Sequence, residues 1–361
     1  MVRLGAYGAT TDVVGRVAFV PSGFPEANIT QAMALIRVYE DEIWPETLFA
    51  FLAGQYGQRQ IQRLARPTGQ YNLNLQEVSS LHAPRFSVNL SQAIRQITVD
   101  SLLGAESAMD LQIDAEKTLL RTLGLENWRP PEPLTYTRPS RDAFAAGRLD
   151  AEYFAPRVAE LLNHLKRDAL TIGDMAPARH ERFSPGATGS FNYIEIGGVR
   201  SDGTAVSESV PQDDAPSRAT SIVREGDVIT STVRPIRRLS ALIDPEQDGH
   251  VCSSGFVVLQ PTAMPAEVLL TYLRLPPVCE LMDVHTSASL YPAISELDLL
   301  AIPIQRIDTA TQTQVVDSVR AAQAGRRRAA ELLDAAKRSV EIAIEDSEAA
   351  ALHYLNAIRE R

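Results

Sequence analysis

The sequence predicts an α+β fold: two β-rich domains, the first incomplete, separated and followed by long helices that pair antiparallel. Three observations predict it. The first is internal repetition. Sliding Val2–Trp128 over Thr171–Asn356 by roughly 220 residues pairs Pro84 with Pro303, Leu81 with Leu300, Val78 with Leu297, Glu77 with Glu296 and Leu75 with Ile294. With small gaps, Pro45 meets Pro265 and Thr30-Gln31 meets Ser253-Ser254. The second is helical periodicity in two long stretches, Leu90–Leu125 and Gln312–Ile358. The third is the proline-rich run Trp128–Ser140, WRPPEPLTYTRPS, which has the composition of a linker.

Each element follows from local pattern. Val2–Val38 holds short β-branched runs, GRVAFV and MALIRV, punctuated by Gly and Pro, and predicts strands joined by turns. Pro45–Leu64 spaces Leu48, Phe51, Leu52, Ile61 and Leu64 as helices do, with a break near Gly54–Gly57. Gly69–Phe86 predicts a turn, a short helix and a strand ending near a proline. In Leu90–Leu125, Ile94, Ile97, Ala108, Leu111 and Ala115 share one seam whose other members are small, which suits a close antiparallel partner. A helix is expected after Pro156. The β-rich plan then returns in FNYIEIGGV, REGDVITSTV, RRLSALI and VCSSGFVVLQ, followed by the helix PAEVLLTYLRL. Gln312–Ile358 is expected as one long helix with Ala329, Leu333, Ala336 and Val340 on its seam, interrupted in pattern at Arg326 and Ser347. About 40 helical residues span roughly 60 Å, comparable with two turns of B-DNA at about 34 Å each. The predicted domains are residues 1–88, a helix over 89–127, a linker over 128–147, a second domain over 148–306 and a second helix over 307–361.

Composition narrows the function classes. The chain has 361 residues, 45% apolar and 22% charged, with a net charge of −10. No run of apolar residues is long enough to cross a membrane as a helix. The N-terminus MVRLGAYGATTDVVG carries no secretion-signal pattern, and two isolated cysteines, Cys252 and Cys279, give no disulfide framework. A cytoplasmic location is expected. A non-specific nucleic-acid binder is usually basic, but here the charge is segregated. Acidic residues crowd Glu341–Glu348 and Glu208–Asp214, while arginines crowd Arg59–Arg66, Arg179–Arg182 and Arg234–Arg238.

Catalytic patterns are not found. The six histidines (His82, His164, His180, His250, His285 and His353) form no zinc-type spacing. There is no nucleophile elbow and no phosphate-loop lysine. Gly5-Ala-Tyr-Gly8 fits a tight β-turn better than a phosphate loop. No catalytic residue, no metal site and no cofactor is expected.

Five motifs in order carry a family resemblance. They are Arg148-Leu-Asp-Ala-Glu-Tyr-Phe154, Phe191-Asn-Tyr-Ile-Glu-Ile196, Glu225-Gly-Asp-Val-Ile229, Val251-Cys-Ser-Ser-Gly-Phe-Val-Val-Leu259 and Tyr291-Pro-Ala-Ile-Ser-Glu-Leu-Asp-Leu-Leu-Ala-Ile-Pro303. Together they resemble a target-recognition domain of the specificity subunit of type I restriction-modification systems. Gly15–Pro21, Ala27–Gln31 and Gly69–Pro84 resemble the back half of a first such domain. A counterpart of Arg148–Phe154 is not found ahead of the first copy, so on the order of 70 residues lack an equivalent there. The resemblance implies a non-catalytic clamp. Two recognition domains would each read half of a split DNA site, and two antiparallel helices would form the coiled-coil spacer. The implied partners are double-stranded DNA, two adenine-methylating modification subunits and a translocating restriction subunit, with no membrane; the implied role is phage defence.

Base edges are read by Arg, Asn, Gln, Ser and Thr, and phosphates by cations and amides. The expected DNA-binding residues are therefore Arg179, Arg182, Ser231, Arg234, Arg237 and Arg238 in the second domain. In the first they are Gln58, Arg59, Arg63, Tyr71 and Asn72. An acidic neighbour such as Asp227 could instead hold Arg237 or Arg238. Ala329, Leu333, Ala336 and Val340 are the expected partner-helix interface. Two alternatives stay open: an assembly scaffold with degraded DNA specificity, and a DNA-modifying enzyme.

Overall fold

The computed structural model describes residues 2–5, 7–8, 14–21, 23–38, 43–67, 71–130, 132–168, 170–286 and 292–360. Ala6 of the Gly5–Gly8 turn, Gly69 and Tyr291 lie outside the described residues. The chain divides into two compact units, Met1–Ala108 with Gln323–Arg361, and Met109–Ala322.

The first unit opens with β1 (Val2–Gly5), β2 (Tyr7–Gly8), β3 (Val17–Phe19) and β4 (Met33–Ile36). It continues with α1 (Pro45–Ala53), α2 (Gln55–Leu64), β5 (Arg66–Pro67), β6 (Tyr71–Asn72), α3 (Leu75–Ser79) and the start of α4 (Val88–Thr122). Strands run in the orders β3-β1-β4 and β2-β6-β5, all antiparallel. One face of the first sheet packs Val2, Val17, Phe19, Ala34 and Ile36 against α1 and α4. α1 starts with Pro45 in its first turn and stops at Gly54, the expected break. The elbow into α2 is so tight that a Cβ on Gly57 would strike the backbone of Phe51 and Leu52.

The second unit carries α5 (Ser140–Ala146), α6 (Pro156–Leu165), β7 (Leu170–Thr171), α7 (Ile172–Met175), β8 (Ser190–Ile194), β9 (Glu208–Pro211) and β10 (Ala219–Ile222). β11 (Val228–Ser231), β12 (Ser240–Leu242), β13 (Val251–Ser253) and β14 (Phe256–Leu259) follow. Then come α8 (Ala266–Leu273), α9 (Pro276–Val284), α10 (Glu296–Leu300), β15 (Pro303–Ile304) and α11 (Thr309–Glu345), which passes into the first unit at Gln323. Its two main sheets run β12-β11-β14 and β10-β13-β8-β9. They enclose one core, Ile194, Val223, Ile229, Ala241, Cys252, Phe256 and Val258, while the other face of β12-β11-β14 packs on the helices.

The repeat is real, and its register is sharper than residue identity implies. Four helices start at N-caps or first residues 221 positions apart: Trp44 and Pro265, Gly54 and Leu275, Asn74 and Ser295, Val88 and Thr309. The β3–β4 and β12–β14 pairs are displaced by 223, and β1 against β11 by 226. This corrects the identity-based alignment around Glu77 by two positions. Asn74 and Ser295 each cap the residue three ahead, so Glu77 corresponds to Asp298 and not to Glu296. Leu73, not Leu75, matches Ile294: they are 3% and 2% exposed, whereas Leu75 is 76% exposed.

α4 and α11 run antiparallel within each unit. In the first, the Ser101 hydroxyl donates to the Ala329 carbonyl at 2.7 Å, and Gly104 and Gly325 let the helices approach Ala329 and Ala108. In the second, the Gln314 amide donates to Thr118 Oγ1 at 3.3 Å. Gly104 and Gly325 are themselves 221 positions apart, so the pair repeats its own close contact. The expected single helix over Gln312–Ile358 is corrected: α11 ends at Glu345, and Ser347 caps a separate helix, α12 (Glu348–Arg359). α12 folds back in the first unit, burying Ala351 and Leu355, and the Arg328 guanidinium donates to the Ile358 carbonyl at 2.7 Å.

Candidate nucleic-acid interface

The site is a turn between two core strands. β11 ends at Ser231, and β12 begins at Ser240. Between them, Arg234 (φ 51°) and Arg238 (φ 59°) take the left-handed conformation, the only non-glycine residues to do so among those described. Such backbone costs on the order of 1 kcal/mol each and gathers at functional sites. Pro235–Arg237 make one 3-10 turn between them.

Several contacts hold this strained turn. The Arg234 N–H donates to the Pro292 carbonyl at 2.9 Å, and the Ile294 N–H to the Thr232 carbonyl at 3.0 Å. The Thr232 N–H donates to the Gly255 carbonyl at 2.9 Å, tying the turn to the β13–β14 hairpin tip. From beneath, the buried Arg274 guanidinium donates to the Arg238 carbonyl at 2.9 Å and the Ser240 carbonyl at 3.3 Å, and also to the Ser201 carbonyl. Burial and the neighbouring Arg238 hold the Arg274 pKa below its ordinary value. The Arg238 side chain turns inward to Glu116 on α4 at 2.5 Å.

The structure therefore sorts the predicted residues. Arg237 is exposed at the apex and makes no ion pair among the described residues. Arg182 is exposed beside the edge of β10, bridged through its backbone to Ser221. Arg234 is half-buried at the entry to the turn. Arg238, Arg179 and Ser231 are engaged within the chain. Arg238 is spent on Glu116. Arg179 makes a two-point ion pair, 2.7 and 3.0 Å, with Asp227, which is 1% exposed; that hydrogen bond and charge raise the Arg179 pKa. Asp227 thus holds Arg179, and neither Arg237 nor Arg238. Ser231 is 2% exposed and its hydroxyl closes a local turn with Val233. Two exposed arginines, Arg200 and Arg218, were missed by sequence reasoning. Arg218 has a local signal, the turn APSRAT, and its carbonyl accepts from Ser254 N–H at 2.7 Å, so it flanks the same hairpin tip.

In the first unit, Gln58 is engaged within the chain. Its amide donates to the Gly15 and Leu52 carbonyls at 2.8 and 2.7 Å and fastens the α1–α2 elbow. Arg59 and Arg63 are exposed on α2, with Arg59 5.9 Å from the Tyr56 ring centroid. Tyr71 packs on the core, and Asn72 is exposed opposite Tyr7 in the β2–β6 ladder. That ladder repeats the Val233–Ala293 bridge of the second unit, displaced by 226 and 221 positions. Tyr71–Asn72 thus stand where Pro292–Ala293 anchor the arginine turn.

The expected partner-helix residues pack within the chain. Ala329, Ala336 and Val340 are at most 5% exposed, and Leu333 is half-buried, all inside the first unit's own core. Cys252 and Cys279 are buried, and burial pushes each thiol up to about 12, away from nucleophilic use.

No family model matches this chain, and no curated protein does. Solved structures do. The HsdS subunit from Thermoanaerobacter tengcongensis is similar at 26% identity and a TM-score of 0.37, the match covering 47% of this chain and 46% of that one. A structure described as the basis of complex assembly and conformational transition of the type I R-M system matches at 16% identity and a TM-score of 0.34, over 96% and 81% of the two chains. The type I restriction-modification S subunit from M. genitalium matches at 14% identity and a TM-score of 0.38, over 98% and 82%.

Proposed function

We propose that this chain is a non-catalytic DNA-recognition subunit, of the type I restriction-modification kind that its motifs resemble. One observation carries the reading: a strained arginine turn, held from beneath by a buried guanidinium, presents Arg237 free in solvent at the end of two stacked sheets. A fixed turn bearing an uncommitted guanidinium suits bidentate recognition of guanine. Arg218, Arg182 and Arg234 supply positive charge for phosphates nearby. The duplicated fold supports a split target, with Arg59, Arg63 and Asn72 as the weaker counterpart surface. Two modification subunits and a restriction subunit are the partners, acting in the cytoplasm. Since the seam residues are consumed inside the chain, those partners engage the outer helix faces.

The test is selection from a random duplex pool by the full chain co-expressed with its host's modification subunit, alongside the mass of the complex. An enriched split motif, weakened by Arg237→Ala and accompanied by two modification subunits, is expected. An enriched half-motif would restrict the reading to the second unit. A pool left unenriched, with Arg237→Ala indistinguishable from the parent, would replace DNA recognition by the scaffold reading.

A further inference from the structure

The turn ahead of β12 has a counterpart ahead of β3, and the two are held by different means. At the displacement of 223 that relates those strands, Arg238 (φ 59°) stands on Gly15 (φ 99°). In both units a side chain donates to the carbonyl of this left-handed residue. The Gln58 amide reaches Gly15 at 2.8 Å, and the Arg274 guanidinium reaches Arg238 at 2.9 Å. The helix elbow is also fastened at equivalent residues, 221 positions apart. Gln58 donates to the Leu52 carbonyl at 2.7 Å, and the Cys279 thiol to the Leu273 carbonyl at 3.2 Å. One glutamine thus does both jobs in the first unit. In the second they are divided, and Arg274 stands where the first unit has Ala53.

Glycine takes a left-handed backbone without steric cost, and arginine does not. What arginine adds at this position is a side chain, which runs inward to Glu116 on α4 in the same unit. There it approaches a second guanidinium. Arg274 is 3% exposed, and among the described residues the Nε atoms of Arg238 and Arg274 are buried without a hydrogen-bond partner. Burial first and Arg238 next hold the Arg274 pKa down, and Glu116 opposes them. Like charges out of water repel strongly unless a carboxylate stands with them. Glu116 supplies that carboxylate, with its own side chain 17% exposed.

We propose that Glu116 is a specificity-determining positioning residue: it draws Arg238 inward against the repulsion of Arg274, so that of two adjacent arginines Arg237 alone faces the DNA. Without Glu116, Arg238 swings outward and the turn presents two cations in place of one. An untethered second cation gains phosphate contact and blurs base choice. The inference rests on the reading of Arg237 as the residue that reads a base.

The test is Glu116→Ala in the full chain with its modification subunit; alanine keeps α4 helical. Arginine-selective dicarbonyl labelling without DNA, localised by mass spectrometry, reports which guanidinium is open. Arg237 should label faster than Arg238 in the parent, and the two should label alike in Glu116→Ala. Anisotropy titrations then compare the selected duplex with variants at the position that Arg237→Ala relaxes. Glu116→Ala should cut discrimination there by about fivefold or more while steepening the salt slope by about one. Simple loss of folded protein does not produce that combination. Arg238→Gly suits the left-handed backbone as Gly15 does and leaves no second cation to release, so adding Glu116→Ala to it should change neither quantity further. Slow labelling of Arg238 that persists in Glu116→Ala would overturn the proposal. So would a loss of discrimination equally large in the Arg238→Gly background, which would assign Glu116 to helix packing. If Arg237→Ala itself leaves base preference unchanged, base reading by this turn fails, and the specificity role of Glu116 fails with it whatever the labelling shows.

Discussion

The first and second units build the same sheet order, the same four helix starts and the same buried glutamate, yet furnish them differently. Glu46 and Glu267 open α1 and α8, are 8% and 6% exposed, and each reaches an arginine on a long helix, Arg95 or Arg320. Packing one face of a sheet on helices is therefore sufficient to define the topology. What the second unit adds is a layer on the other face and a braced arginine turn. Those additions, rather than the shared frame, distinguish the second unit from the first, whose counterpart surface is an exposed helix with Arg59 and Arg63 and the exposed Asn72. Experiments that remove one addition at a time break or sharpen this contrast.

The largest effect is expected at Asp227. It is nearly fully buried, takes both prongs of Arg179 and accepts the Arg224 N–H at 2.8 Å. Breaking a buried pair from one side costs about 3–5 kcal/mol. Asp227→Ala should lower the unfolding free energy of the second unit by that order and leave the first unit alone. The chain has two tryptophans, Trp44 in the first unit and Trp128 in the second. Trp44→Phe and Trp128→Phe therefore isolate each unit's fluorescence in urea titrations. Equal losses in both signals would mean that the units unfold as one body, and the contrast would fail.

Arg237 follows. If it reads a guanine, Arg237→Ala should cost about 1–3 kcal/mol of DNA binding and relax one position of the site. Arg59→Ala should lower affinity uniformly across sequences and reduce the salt slope by about one. Anisotropy titrations at several salt concentrations separate the two. A sequence-specific loss at Arg59 equal to that at Arg237 would erase the distinction between the units.

The fold was largely legible and the site was half legible, for a physical reason. Helix and strand patterns depend on neighbours a few positions away, and these were read well: the break at Gly54, the strands around Val228 and Phe256, and the long seam through Ile94 and Ile97 all stand. Caps decide register, and matching identities put Glu77 opposite Glu296, whereas Asn74 and Ser295 fix it two positions later. The break at Ser347 had a visible signal, a disturbed heptad followed by a capping residue, but continuity of apolar spacing outweighed it. Arginine roles were the least legible. Arg179 meets a carboxylate 48 positions away and Arg238 one 122 positions away, and only the folded chain brings them together. Arg237 and Arg238 are adjacent and alike in sequence, yet one points to solvent and the other to Glu116.

A smaller difference is expected at the shared glutamate. Glu267 Oε1 lies 2.6 Å from Arg320 Nε, whereas Glu46 stands 3.7 Å from Arg95. Both arginines are well over half exposed, so solvent screens each pair. Glu267→Gln should cost about 1 kcal/mol or less, and Glu46→Gln less again. Unit-specific urea midpoints check the order, and a larger loss at Glu46 would show that its carboxylate is held by more than Arg95.

The gentlest probe is pH, and it too should divide the units. Among the described residues, the carboxyls held below their usual range are Asp150 beside Arg148, Asp174 under Thr171, Glu181 beside Arg224 and Asp308 under Thr311, and these four lie in the second unit. Burial likewise holds His250 below its ordinary 6.5, with Asp248 opposing. Its ring is occupied on both sides, by Ser207 Oγ at 2.8 Å and Asn192 Nδ2 at 2.9 Å. A group with a depressed folded pKa binds its proton more readily when unfolded. Its contribution is present above the unfolded pKa and is lost as pH falls through the folded one. His250 should therefore begin to weaken the second unit below about pH 6.5, and the carboxyls should add to this below about pH 4. The Trp128 urea midpoint should fall between about pH 7 and about pH 5 while the Trp44 midpoint moves less. His250→Gln, which keeps hydrogen bonding but cannot titrate, should flatten the upper part of that decline. If the decline persists unchanged in His250→Gln, the titrating group lies elsewhere and the outer sheet layer is not the acid-sensitive part of the unit.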